Sequence, residues 1–462
     1  QIMYRLAVEY LRDWRLRDGR MPLVVRGARQ VGKSYLVRMF AEEHFDHFVE
    51  INLEEQPQLA ELLLADTPQG ALARLELFFD CDIVPGKTLL FLDEIQAAPE
   101  LFARLRYFHE RIPDLHVVAA GSLLEFVLQD HHFSMPVGRV EYLHLGPMKF
   151  SEFLRALGKT RLAASLRDFS LEDSIPPPIH QELLKLFRLF LVVGGMPKSV
   201  QTYVDSRSLR QCDIIKQSIL STYVDDFHKY GQRVNHPRVH RVFRAIPMNV
   251  GRKFRYVNVS REERSTAIAA ALRLLELARV CHLVNHTAAQ GIPLGAQTKE
   301  TTFKVLFLDV GLLLSVCGID ALEVTEAEDL LLVNRGAVCE QFIGQHLQYR
   351  QEPYRDPELF YWTRQKPSSN AEIDYVVSVG SQIVPVEVKA GKTGSLRSLH
   401  QFVVQRELPL GVRICQDVPS LVFAIGQLPS KEAYGYDLMS LPLYLIEELE
   451  RLVRLWRGRS ST

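Results

Sequence analysis

One short run constrains this chain more than anything else in it. Gly27-Ala28-Arg29-Gln30-Val31-Gly32-Lys33-Ser34 fills the pattern GxxxxGK[ST] at every fixed position. The β-rich Leu23-Val24-Val25 leads into it, and the helical stretch Tyr35–Glu43 leads out. A strand that turns through glycines straight into a helix belongs to a parallel sheet flanked by helices. The glycines let successive N–H groups curl around phosphate oxygens, and the helix N-terminus adds partial positive charge. Lys33 is placed to reach the β- and γ-phosphates, and the Ser34 hydroxyl to join an Mg²⁺ shell. Gly27, Ala28, Arg29, Gln30, Val31, Gly32, Lys33 and Ser34, with Tyr35 next in the helix, are the expected ATP contacts.

Other strands supply what such a loop needs. Leu89-Leu90-Phe91-Leu92-Asp93-Glu94 is an apolar strand ending in two acids, the form of a Walker B segment. Asp93 is expected at the metal, and Glu94 at the water that attacks the γ-phosphate. Val117-Val118-Ala119-Ala120-Gly121-Ser122 ends beside the same crevice. Ser122 reads equally as a sensor of nucleotide and as the cap of a following helix. Arg139, ahead of Arg104 and Arg106, is the candidate for charge stabilisation, in cis or from a neighbouring subunit. The expected strands are Leu23–Arg26, His47–Leu53, Thr88–Asp93, His116–Ala120 and Val140–Leu145.

The chain has 462 residues, 55 of them Lys or Arg and 55 Asp or Glu. That balance excludes a uniform polycation, and the length allows about two to four domains with their own cores. Six cysteines form no CxxC pair, which argues against a disulfide scaffold or zinc finger and for a reducing, cytoplasmic setting. No apolar stretch approaches the ~20 residues that cross a bilayer, and no membrane partner is expected.

Past the first 150 residues the pattern changes. Pro176-Pro177-Pro178 precedes helical hairpins broken at Gly194-Gly195-Met196-Pro197. Two helical stretches and two strand-like runs, near Arg279–Val284 and Thr302–Leu308, then suit a winged helix. A last unit opens after the acidic Glu323–Asp329. Its Asp374 on one strand and Glu387-Val388-Lys389 on the next resemble the PD-(D/E)xK nuclease core. Alternation puts Glu387 and Lys389 on one face, where a carboxylate can bind Mg²⁺ and an ammonium can activate water. Glu340 on the preceding helix is the third candidate ligand. The same residues read also as a degenerate site or a solvated strand face. His236/His240 and His282/His286 lack the partners that would complete a metal set.

The ordered set of motifs resembles the AAA-type ATPases with a fused C-terminal DUF4143 domain (AAA_14 with DUF4143). It comprises Arg26–Ser34, Asp93-Glu94-Ile95-Gln96 with Pro99, Gly121-Ser122, and Gly138-Arg139-Val140 leading to Leu145-Gly146-Pro147 and Phe150. It continues through Gly194–Pro197, Asp225-Asp226-Phe227, Phe307–Leu312 and Glu340-Gln341-Phe342. The family more usually carries a second bulky residue after the Pro147 position. The resemblance implies an α/β fold: a P-loop AAA-like core over 1–150, a helical lid over 151–232, a winged helix over 233–320 and a nuclease-like domain over 330–462. It also implies that Gly195-Met196-Pro197 matches a Gly-x-Pro element whose proline touches nucleotide. A helix-ending turn is the other reading of Pro197.

Charge is segregated along the chain. Residues 227–261 contain no acid and nine basic residues: Lys229, Arg233, Arg238, Arg241, Arg244, Arg252, Lys253, Arg255 and Arg261. This stretch is a candidate DNA surface, or a basic face docked on Glu323–Asp329 or on another subunit. The expectation is an ATP- and Mg²⁺-dependent ATPase that acts on DNA, with a homo-oligomer among the possible assemblies. The alternative is a signalling-type switch whose nuclease-like domain only binds a protein or DNA partner. The expected catalytic set is Lys33, Glu94 and Arg139, with Asp374, Glu387 and Lys389 in the C-terminal domain; the metal set is Ser34 and Asp93, then Glu340, Asp374 and Glu387.

Overall fold

The computed structural model describes residues 3–65, 67–128, 138–230, 235–326, 335–364, 371–389, 396–426 and 433–459. Arg233 and residues 327–329 of the acidic stretch lie outside them.

The strands β1 (Leu23–Arg26), β2 (His47–Asn52), β3 (Thr88–Asp93), β4 (His116–Gly121) and β5 (Glu141–His144) pair in parallel in the order β2-β3-β4-β1-β5. All five coincide with the expected runs to within about a residue or two. Every residue of β3 and β4 is buried, as continuous apolar runs in a sheet covered on both faces must be. The loop Gly27–Gly32 leaves the C-terminal end of β1, and Gly32, at φ 92°, caps the helix Lys33–His44. The ends of β3 and β4 open on the same side.

Residues 150–226 fold into helices, including Pro177–Val193, Pro197–Ser206 and Leu209–Asp226. Gly194 ends the first with φ 78°, a conformation open to glycine at little cost. Two further helices, His236–Met248 and Ser265–Leu277, precede the hairpin of β6 (Cys281–Thr287) and β7 (Thr298–Phe307).

The structure departs from the expectation of separate units here. The hairpin belongs to an eight-stranded sheet with β8 (Phe360–Thr363), β9 (Glu372–Val379), β10 (Gln382–Val388), β11 (Leu410–Cys415), β12 (Ser420–Gly426) and β13 (Tyr434–Pro442), in the order β12-β13-β11-β10-β9-β8-β6-β7. β6 pairs in parallel with β8 through Asn285↔Phe360 and His286↔Tyr361, so the sheet crosses the expected boundary near 320–330. An isolated two-stranded hairpin is marginal in water, and an open strand edge invites a partner.

The core is shared as well. One cluster of buried side chains covers one face of the first sheet and continues through Phe150, Phe190, Phe342 and Leu443 into the C-terminal half. Phe342 lies 4.7 Å from Phe187 and 5.6 Å from Phe190, edge to face. His346 ties the same junction: its Nε2 accepts from the Phe150 N–H at 3.0 Å and its Nδ1–H donates to the Phe342 carbonyl at 2.8 Å. Burial pushes its pKa down to about 3, which keeps the ring in the neutral form that this arrangement needs.

All six cysteines are free thiols. Among the described residues no helix is long and apolar enough to cross a membrane.

Candidate functional site

The loop after β1 is held from several sides. Arg5, 2% exposed, donates to the Val31 carbonyl at 2.6 Å and the Gly146 carbonyl at 2.8 Å, and pairs with Glu152 at 3.2 Å. A Cβ on Gly27 would stand 2.2 Å from the Leu145 carbonyl oxygen, so that position admits no side chain. The Tyr35 hydroxyl accepts from the Met3 N–H at 2.7 Å. Lys33 folds back, donating from Nζ to the Gly27 carbonyl at 3.1 Å and the Ala28 carbonyl at 2.8 Å. Burial pushes its pKa down to about 8, with Glu94 and Asp93 opposing.

The acids of β3 stand beside the start of the helix Lys33–His44. Ser34 Oγ donates to Asp93 Oδ2 at 2.6 Å, joining the two residues expected at Mg²⁺. Burial raises the pKa of Asp93 and the Ser34 bond opposes it. Glu94 sits at φ 50° just past the strand. Its Oε2 accepts from Gln96 Nε2 at 2.5 Å and from the Ser122 hydroxyl at 3.1 Å. Burial works to raise its pKa, but Gln96, Lys33 and Ser122 outweigh it and hold the carboxyl below its ordinary range. Ser122, at the end of β4, thus meets Glu94 at the end of β3.

Two residues missing from the expected set, Asp226 and Gln96, bear on the loop and on the acid beside it. Arg29 pairs with Asp226 at 2.6 Å, and Asp226 and Glu54 both pair with Lys229. The helix Leu209–Asp226 is thereby latched to the loop. Gln96, which holds Glu94, is the other. Its closeness to β4 is visible in Gly121, where a Cβ would fall 2.2 Å from Gln96 Oε1. Arg139 is not brought to this site: it pairs with Glu110 at 3.5 Å on the helix Leu101–Arg111, as Arg106 does at 2.9 Å. An in-cis role for Arg139 therefore finds no support in the fold.

The helix Pro197–Ser206 meets the loop through Pro197, whose Cγ lies 3.3 Å from where a Cβ on Gly32 would be. The preceding Gly195 N–H donates to Asp309 Oδ2 at 2.7 Å, and Asp309 Oδ1 accepts from the Leu312 N–H at 3.1 Å. Asp309 stands two residues past β7. A physical path thus runs from Gly32 through Pro197 and Gly195 to the end of β7.

In the C-terminal sheet, Glu340, Asp374, Glu387 and Lys389 come together. β9 and β10 are antiparallel neighbours, and Asp374 Oδ2 accepts from the Val388 N–H at 2.8 Å. Lys389 Nζ pairs with Glu387 at 2.6 Å. A further residue, Lys304 of β7, lies 3.5 Å from Glu340, 3.6 Å from Asp374 and 2.5 Å from Glu372. Burial raises the pKa of Glu340 to about 8 and of Glu387 to about 7, with Asp374 adding to both. For Lys304 the surrounding carboxylates outweigh burial and hold its proton firmly.

The acids expected as a metal set, Glu340, Asp374 and Glu387, share their surroundings with the ammonium of Lys304. Among the described residues no group of three or more His, Cys, Asp or Glu side chains is arranged to hold a metal ion. An ammonium occupies the position between the acids. The signal was present: Lys304 is the lone charge in the apolar run Phe303-Lys304-Val305-Leu306-Phe307-Leu308.

The basic stretch divides. Arg238 and Arg241 pair with Glu263, and Lys229 with Glu54 at 2.7 Å. Arg244, Arg252, Lys253, Arg255 and Arg261 are exposed. Lys253 bridges Lys304 through the backbone, and Gly251 abuts the Glu340 carboxylate, 3.1 Å from a Cβ built on it. The loop Arg252-Lys253-Phe254-Arg255, with its three cations exposed, therefore borders the carboxylate cluster.

Three domain families match this chain. The AAA domain family (AAA_14) matches residues 19–154, and the domain of unknown function DUF4143 matches 335–443. A second domain of unknown function, DUF8612, matches 184–323. No curated protein matches the sequence. Among solved structures, the Aeropyrum pernix ORC2 protein in its ADPNP–ADP complexes is 15% identical, with a TM-score of 0.34 over 70% of this chain and 95% of that one. The Aeropyrum pernix ORC1 protein in complex with DNA is 12% identical, with a TM-score of 0.29 over 68% and 90%. The Thermotoga maritima RuvB Holliday junction branch migration motor is 15% identical, with a TM-score of 0.26 over 61% and 89%.

Proposed function

This chain is an AAA-type protein with a C-terminal DUF4143 domain, and on that premise we propose that it binds and hydrolyses ATP and passes its nucleotide state to a DNA-binding C-terminal half. The observation that carries the reading is the path from Gly32 through Pro197 and Gly195 to Asp309 at the end of β7. A phosphate on the loop would draw Lys33 off the Gly27 and Ala28 carbonyls. Ser34 and Asp93 form a hydroxyl–carboxylate pair suited to Mg²⁺, which when bound neutralises charge on the phosphate oxygens. Glu94, kept ionised by Gln96, Lys33 and Ser122, would accept a hydrogen bond from the attacking water. Displacing Pro197 would then shift the hairpin that borders the Arg252–Arg255 loop.

The test joins two measurements on the full chain in a cytoplasm-like buffer. Glu94→Gln should keep ATP binding and lose phosphate release; unchanged release would remove Glu94 from the mechanism. DNA binding should weaken with salt, differ between ATP and ADP, and disappear when Arg252, Lys253 and Arg255 are reversed to Glu. The second reading, a nucleotide switch without nucleic-acid cleavage, is favoured by the ion pairs of Lys304 with the C-terminal acids.

A further inference from the structure

The carboxylates Glu340, Asp374 and Glu387 are the donor set through which a nuclease-like domain would hold a divalent cation, and Glu372 adds a fourth acid two positions before Asp374 on the same face of β9. Such a cluster, empty, would repel itself. Here it is not empty: Lys304 is 2% exposed and lies within ion-pair distance of Glu340, Glu372 and Asp374.

Resting on the nuclease-like reading of these acids, we propose that Lys304 is the resident counter-ion of the site, standing where a divalent metal would, so that the C-terminal domain takes no metal and does not cleave nucleic acid.

Three observations support this assignment. The ammonium comes from β7, a strand fixed by its own pairing with β6, and its backbone is bridged to Lys253; it is not a mobile surface side chain that swings in by chance. Its side chain is enclosed, 3% exposed, with Nζ 5.3 Å from the centre of the Tyr361 ring. Gly251 closes the remaining side against the Glu340 carboxylate. A divalent ion entering here would face an ammonium a few ångströms away, and Mg²⁺ also keeps waters that need room. Glu387 is paired through Oε1 with Lys389 at 2.6 Å, so its nearest cation is that lysine, while its Oε2 is buried without a hydrogen-bond partner. The chemistry the site retains is that of an ion-paired weld between β7 and the acids Glu340, Glu372 and Asp374.

The test measures Mn²⁺ binding to the full chain carrying Asp93→Asn, which removes the acid of the nucleotide site. With Lys304 present, no saturable Mn²⁺ binding and no Mn²⁺-dependent rise in melting temperature are expected, and Asp374→Asn should change neither. Lys304→Met, which keeps the stem, should tighten Mn²⁺ binding by at least about tenfold, and Asp374→Asn should abolish that gain. Saturable Mn²⁺ binding with Lys304 in place, lost in Asp374→Asn, would overturn the proposal and leave the nuclease-like reading standing. A folded Lys304→Met chain that gains no Mn²⁺ binding would overturn the nuclease-like reading itself, and with it the stand-in role. If Lys304→Met does not fold, the Asp374→Asn comparison in the Lys304 chain still decides the proposal.

Discussion

Lys33 makes nucleotide affinity depend on pH in a defined direction. Its ammonium is buried and bonded to the Gly27 and Ala28 carbonyls, which lack the charge to offset its lost hydration. Its pKa is pushed down to about 8. Phosphate would restore the lysine to its ordinary range, because an opposite charge at contact favours the protonated form. Binding therefore takes up a proton wherever the free lysine is neutral and the bound one charged. Below about pH 7 both forms are charged and affinity is flat. At about pH 9, one unit above the free pKa, the charged fraction is roughly one in eleven. Affinity should then be about tenfold weaker, or about 1.4 kcal/mol. Titrating a fluorescent ADP analogue at both pH values measures this, since the nucleotide's phosphates already carry full charge across the upper range. Lys33→Ala should bind weakly and without the slope. Equal affinity at both pH values, or a slope that survives Lys33→Ala, would refute the argument.

Other positions give further outcomes. Gln96→Ala removes the 2.5 Å donor on Glu94 and should lower kcat by about tenfold with little change in nucleotide affinity; a change in affinity alone would assign Gln96 to binding. Asp309→Ala strips the acceptor from the Gly195 and Leu312 N–H groups in a fully buried site. It should cost about 3 kcal/mol in urea denaturation, since each charge-assisted bond contributes about 1.5 to 3 kcal/mol, and a loss under about 1 kcal/mol would show those donors finding other partners. Asp226→Ala frees Arg29 from the helix Leu209–Asp226, and protease cleavage after exposed residues of 150–226 should speed up without nucleotide; an unchanged digestion pattern would remove the latch.

The phosphate site was readable in the sequence because its parts are local. A strand, a glycine turn and a helix N-terminus occupy adjacent positions, and an apolar strand ending in Asp93-Glu94 announces its own role. The C-terminal acids were readable for a similar reason, since Asp374 and Glu387 lie on the two strands of one hairpin. Gln96 was visible only as part of a motif; that it grips Glu94 depends on the left-handed turn at Glu94 and the bare backbone of Gly121.

The chain's order of residues thus determined the parallel sheet, the loop on it and the positions of the acids, because short-range pattern and turn chemistry suffice for each. Tertiary structure alone decided which cation meets those acids. Lys304 stands 36 positions before Glu340 in the chain, in a hairpin whose pattern suits a separate module. Only the parallel pairing of β6 with β8 carries it into the sheet. Pairing between distant strands is set by which edges and apolar faces can be buried together, and no local spacing records that choice.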